Sequence, residues 1–149
     1  MQLTTGSKAP EFEALNQKGE TIRSKDLLGK KVVLYFYPKD DTKACTQQAC
    51  DLRDNHTQLT TQGYTVIGVS PDDVKSHQKF INKYELPFML LADTDHAIAE
   101  KFGVWQEKSM YGKKYMGIVR TTFLINEEGN ITNIISKIKT AEHSKQILA

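Results

Sequence analysis

Val32-Val-Leu-Tyr-Phe-Tyr37, followed by Pro38-Lys-Asp-Asp-Thr42-Lys-Ala-Cys45-Thr-Gln-Gln-Ala-Cys50, reads as a buried strand, a loop and the first turns of a helix. The first six residues are aliphatic or aromatic without polar alternation, the pattern of a central strand buried on both faces. Pro38 has no N–H to give a sheet and ends the run. From about Cys45 to Thr61 the chain lacks Pro and Gly, and Gly63 is a fitting helix stop. Tyr64-Thr-Val-Ile-Gly-Val-Ser70, ended by Pro71, is a second buried run. Strand, helix and strand in this order predict a βαβ unit with parallel strands.

Working outward, Phe12–Leu15 and Thr21–Ser24 flank Asn16-Gln-Lys-Gly19 and predict a short N-terminal hairpin. Helices are expected over Asp72–Tyr84 and Asp95–Phe102. Thr121–Ile125, the turn Asn126-Glu-Glu-Gly-Asn130 and Ile131–Ile135 form the clearest hairpin signal, with a last helix from Glu142 onward. Ser109-Met-Tyr-Gly-Lys-Lys-Tyr-Met-Gly117 reads as a basic, aromatic loop, solvated rather than lining a site. No repeat or linker divides residues 1–149, which read as one domain. The element order is that of an α/β thioredoxin-like fold: a central mixed β-sheet flanked by helices, with an N-terminal β-hairpin.

Lys plus Arg number 20 against 18 Asp plus Glu, a net charge of +2 with no basic block, so neither nucleic acid nor a membrane surface is an expected partner. No apolar run approaches the roughly 18 residues of a membrane helix, and the first residues lack the pattern of a signal peptide. A cytoplasmic setting is expected. Thiols are kept reduced there, so a cysteine pair points to transient catalytic chemistry rather than a permanent staple. Two cysteines alone do not make a zinc site, and His56, His77, His96 and His143 show no ligand-like clustering in sequence. No metal is expected.

Cys45 and Cys50 are the only cysteines. At about 100° per residue, Ala49, Leu52, His56 and Leu59 fall within about 40° of Cys45, whereas Cys50 lies about 140° away. Cys45 therefore shares the core-facing stripe and Cys50 the opposite flank. Helical residues five apart have Cα atoms about 8.6 Å apart, whereas a disulfide spans about 4.4–6.8 Å. Bonding these two thiols requires the first turns of the helix to unwind.

In a helical first turn, unpaired N–H groups and the positive end of the dipole favour a thiolate at Cys45. Lys39 and Lys43 add positive potential. Thr42 either caps the helix or turns its hydroxyl to the sulfur. The plainer alternative makes Cys45 a small core residue, Cys50 a surface thiol and Arg120 a solvated charge.

Tyr35 to Cys50, followed by Leu52-Arg53-Asp54, resembles the active-site segment of peroxiredoxins of the PrxQ, or bacterioferritin comigratory protein, group. Pro38, Thr42 and Cys45 match the Pro-x-x-x-Thr-x-x-Cys signature, and a second cysteine five residues on marks the subgroup. The resemblance runs from Gly6-Ser-Lys-Ala-Pro-Glu-Phe12 through Gly68–Asp72 and Leu90–Asp93 to Arg120–Ile125. It implies that Cys45 is the peroxidatic cysteine and Cys50 the resolving one. Thr42 and Arg120 would polarise the peroxide and stabilise the thiolate, and Pro38 would shield the site from water. Lys43-Ala44 replaces the Pro-Gly common in the subgroup, a change expected to alter loop rigidity more than chemistry.

The resemblance implies a thioredoxin-dependent peroxidase acting on hydrogen peroxide or alkyl hydroperoxides, without metal, haem or flavin, and monomeric, with a dimer as the alternative. Two rivals stand beside it. A thiol–disulfide oxidoreductase on the same fold would need two cysteines within one helical turn and a cis-proline before the hairpin strand, where this chain has Arg120-Thr121. A non-enzymatic binding, holdase or redox-sensing module would carry its cysteines incidentally.

Overall fold

The computed structural model describes residues 3–149. Its elements in chain order are β1 (Glu13–Asn16), β2 (Thr21–Arg23), β3 (Lys31–Phe36), α1 (Lys43–Asp54), α2 (His56–Thr61), β4 (Tyr64–Ser70), α3 (Val74–Tyr84), β5 (Met89–Ala92), α4 (Ala97–Lys101), β6 (Trp105–Met110), β7 (Lys113–Ile118), β8 (Thr121–Ile125), β9 (Ile131–Ile135) and α5 (His143–Leu148). A seven-stranded sheet has the order β2-β1-β5-β4-β3-β8-β9. β3, β4 and β5 run parallel, while β8 pairs antiparallel with β3 and β1 antiparallel with β5. The expected mixed sheet is present. Among the described residues no helix is long and apolar enough to cross a membrane.

Alternation along the strands sorts the core into two layers. Val33, Tyr35, Val66, Leu90 and Leu124 face one way and pack with Cys45, Ala49 and Leu52 of α1, Leu59 of α2, Phe80 of α3 and Ile147 of α5. Val32, Leu34, Phe36, Ile67, Val69 and Phe123 face the other way and meet Phe12, Ile98 and Ala99 of α4, Phe102 and Ile118. Both faces of the central strands are therefore covered, which is why β3 and β4 read as unbroken apolar runs.

Three elements depart from the sequence reading. The helix expected through Thr61 breaks at Asn55, whose side-chain amide donates to the Asp51 carbonyl at 2.9 Å and competes with the backbone ladder. β5 lies where no strand was assigned: Met89–Ala92 carries no β-branched residue, and its pairing with β4 supplies what propensity does not.

Ser109–Gly117 is not a loop. It belongs to the antiparallel ribbon β6–β7, whose two-residue turn places Tyr111 at φ 52° and Gly112 at φ 78°, the left-handed pair of a type I′ hairpin. The ribbon stands largely in solvent, with Tyr111 99% exposed, so no apolar alternation announced it.

Gly68 shows how tightly the layer beneath α1 is packed. Its register partners are Tyr35 on β3 and Leu90 on β5, and a methyl group there would come within 2.7 Å of Leu90 Cδ2 and 2.8 Å of Tyr35 Cζ. Both neighbours are fully buried. Gly68→Ala is expected to lower unfolding free energy by about 1–3 kcal/mol through overpacking, read from urea denaturation.

Candidate active site

β3 leaves the sheet at Phe36, and Tyr37 prolongs its line by donating its N–H to the Val69 carbonyl. Pro38, half-buried, turns the chain away. Asp41 takes a left-handed conformation at φ 57°, and Thr42 is the extended N-cap of α1. Cys45 is thus the third helical residue, in the turn whose N–H groups have no intrahelical acceptor. It is 2% exposed and points into the layer beneath α1, as the helical wheel expects. Ala49, Leu52 and Leu59 are buried on the same stripe, with His56 half-buried.

Arg120 reaches the sulfur from the neighbouring strand. Thr121 is the register partner of Phe36, so the residue before β8 emerges beside the exit of β3. Arg120 Nη2 donates to Cys45 Sγ at 3.3 Å and its Nη1 to Gln48 Oε1 at 2.7 Å. A guanidinium fork held by two residues of one helix is pre-oriented toward negative charge on the sulfur.

Gln48 escaped the sequence reading. It is fully buried, three residues from Cys45, and its Nε2 has no hydrogen-bond partner among the described residues. The available signal was its helical angle, about 60° from Cys45, on the edge of the inward stripe.

Thr42 does neither of the two things expected of it. It makes no side-chain cap, and its hydroxyl donates to the Lys39 carbonyl at 2.9 Å rather than to the sulfur. Its oxygen keeps lone pairs for an incoming donor. Lys43 and Ala44 are simply the first two residues of α1, both exposed. Cys50 is half-buried on the same unbroken helix, and both cysteines are free.

A second polar cluster lies behind the loop. Asp40, Asp72 and His77 bring one oxygen or nitrogen each within 4.8 Å of one another, a juxtaposition that sequence spacing hid. Those atoms are already engaged. Asp40 accepts from Tyr37 and Ser76 and faces His77 Nδ1, and Asp72 accepts from Ser70 and the Asp40 N–H. Burial pushes the Tyr37 phenol well above its usual value, so it serves as a neutral donor.

Another buried histidine sits beyond Arg120. His143 Nδ1 faces Gln146 Oε1 at 2.9 Å, and its Nε2 faces the Thr122 hydroxyl at 2.8 Å. An amide oxygen only accepts, so Nδ1 carries a proton. In the neutral imidazole, the form that burial favours, Nε2 accepts from the Thr122 hydroxyl. Burial, with a smaller push from the Arg120 charge, holds His143 below its ordinary value, against the opposing pull of Gln146 and Asp51.

The AhpC/TSA family profile matches residues 5–134. Peroxiredoxin Bcp of Bacillus subtilis is 47% identical over 148 residues, 99% of this chain and 94% of that one. A cysteine-to-serine mutant of PrxQ from Xylella fastidiosa superposes with a TM-score of 0.92 at 30% identity, covering 99% of this chain and 94% of its own. The bacterioferritin comigratory protein of Xanthomonas campestris, solved for its alkyl peroxide reduction activity, gives 0.87 at 36% identity over 92% of this chain and 87% of that one.

The state of His143 sets a pH dependence. Its folded value lies below the unfolded value of 6.5, so the unfolded chain takes the proton first. The stability that neutral His143 contributes is complete above that value and is lost as pH falls toward the folded value. His56, which burial also lowers, contributes with the same sign. Unfolding free energy is expected to fall between about pH 7 and about pH 5, with a shallower slope in His143→Gln.

Proposed function

The chain belongs to the AhpC/TSA family, in its Bcp/PrxQ group of peroxiredoxins, and from that premise we propose a cycle in which Cys45 reduces hydrogen peroxide and alkyl hydroperoxides and Cys50 resolves the product. Peroxiredoxins are thiol peroxidases, and this chain is one. The observation that carries the assignment of Cys45 is the Arg120 guanidinium 3.3 Å from its sulfur at the open end of α1.

The Cys45 thiolate attacks the terminal peroxide oxygen. The O–O bond breaks, an S–O bond forms, and the departing oxygen leaves as water or alcohol once protonated, so cysteine becomes a sulfenic acid. Arg120, anchored by Gln48, holds the charge that starts on sulfur and ends on the leaving oxygen. Thr42, whose own proton is given to Lys39, accepts the O–H of the bound hydroperoxide. Pro38 limits water at the sulfur.

The Cys50 thiolate then attacks the Cys45 sulfur; the S–S bond forms, the S–O bond breaks, and the hydroxide released takes a proton from solvent and leaves as water. With both thiols on one helix and about 140° apart around it, this step needs α1 to open between them. A thioredoxin-type dithiol returns two electrons and two protons by exchange. The protein acts as a monomer in the cytoplasm, where reduced thiols are maintained.

Peroxide consumption with a thioredoxin system tests the cycle. Wild type is expected to turn over, Cys45→Ser to be inactive, and Cys50→Ser to consume one equivalent and stop at the sulfenic acid or beyond. Full turnover by Cys50→Ser would remove Cys50 from the mechanism, and an inactive wild type would remove the whole reading. Arg120→Lys, which loses the fork, is expected to slow the peroxide step by about 10²-fold or more.

A further inference from the structure

Tyr37–Thr42 lies outside helix and sheet, yet this segment carries Pro38 and Thr42 and launches the helix of Cys45. What fixes it is the buried cluster that the peroxide chemistry leaves unused. Asp40 is 8% exposed. Its Oδ1 accepts the Tyr37 hydroxyl at 2.5 Å, and its Oδ2 accepts the Ser76 hydroxyl and faces His77 Nδ1, both at 2.7 Å. Its backbone N–H donates to Asp72 at 2.8 Å. The next residue, Asp41, accepts from Lys83 and the Tyr84 hydroxyl, again on α3.

His77 has no exposed surface, and its Nε2 stands 2.9 Å from the Leu91 carbonyl on β5. A carbonyl only accepts, so Nε2 carries a proton. Asp40 accepts from Tyr37 and Ser76, and a proton lies between its Oδ2 and His77 Nδ1. A buried polar pair of this kind is weak evidence for stability, since an apolar pair of similar volume does as well or better. What the pair supplies is position. It ties the loop that enters α1 to a residue locked between α3 and β5.

We propose that His77 is a positioning residue for the peroxide step: through Asp40 it holds Pro38–Thr42 in the arrangement that presents Thr42 and the first turn of α1 to a peroxide at Cys45. It touches no reacting atom. The proposal rests on Cys45 being the peroxide-reactive thiol. Because the clasp lies upstream of the turns that open for Cys50, loosening it slows the reaction with peroxide and leaves disulfide formation as fast or faster.

The test compares His77→Asn, His77→Gln and Ser76→Ala with wild type. Asn places its amide nitrogen near the position of Nδ1 and keeps the donor to Asp40. Gln reaches toward the position of Nε2 and loses that donor. For folded variants, identified by circular dichroism and melting temperature, two rates are measured by rapid quench, thiol alkylation and mass spectrometry: Cys45 oxidation by hydrogen peroxide, and Cys45–Cys50 disulfide formation.

Gln is expected to slow oxidation by about ten- to a hundredfold, and Asn to restore it to within about threefold, with disulfide formation not slowed in either. Should Gln fail to fold, Ser76→Ala, which removes one donor from Asp40, is expected to show the same split at smaller size. Oxidation rates equal to wild type, equal losses in Asn and Gln, or a parallel loss in both steps would overturn the proposal. An inactive wild type would instead overturn the assignment of Cys45 on which it rests.

Discussion

The antiparallel pairing of β3 with β8 is the constraint on which the site depends. It sets Phe36 against Thr121, so the chain leaving β3 toward Cys45 and the chain entering β8 from Arg120 meet at one end of the sheet, although the two site residues are 75 apart in sequence. Side chains alternate across a strand, so slipping this register by one residue would send Arg120 to the opposite face and leave Cys45 buried without its cation. The apolar residues of the two strands enforce the register. Tyr35 and Leu124 must face α1 and α5, and Phe36 and Phe123 must face Phe102. Packing of the hydrophobic layers thereby positions a charge that neither layer contains.

What the sequence made legible is what local pattern encodes. β3 and β4 announce themselves as continuous apolar runs, and the wheel of α1 separates an inward Cys45 from a flank-facing Cys50 before any tertiary contact is known. What stayed hidden depends on partners far along the chain. Gln48 looks like any helical glutamine until Arg120, 72 residues on, takes its carbonyl oxygen. Asp40 and His77, 37 apart, show no clustering in the sequence, and only the fold lays α3 beside the loop. The β6–β7 ribbon was missed for another reason. Gln106-Glu-Lys-Ser109 has no apolar face because little of it is covered, and its turn uses Tyr111, not the Asn or Asp that usually marks a type I′ hairpin.

The site must reconcile two demands on one helix. In the proposed cycle an ordered first turn aims N–H groups at Cys45, yet the same turn opens for Cys50 to reach it. The distribution of anchors resolves the conflict. Upstream, Asp40 and Asp41 are bonded to α3 by groups that include a fully buried imidazole. Downstream, the Asp51 carboxylate accepts from the Ser144 backbone and hydroxyl on α5, and Arg53 donates to the Tyr84 carbonyl. Between these points, among the described residues, the side chains of Lys43–Cys50 are hydrogen-bonded to the rest of the fold only through Arg120 and through Gln47, which accepts from Thr140, while Cys45, Gln48 and Ala49 are buried. In the proposed cycle the sulfur that Arg120 touches at 3.3 Å is the atom that peroxide oxidises, so the chemical step alters one of the contacts that hold the first turn. In that cycle, anchors on both sides place the opening in the turns that carry the two thiols.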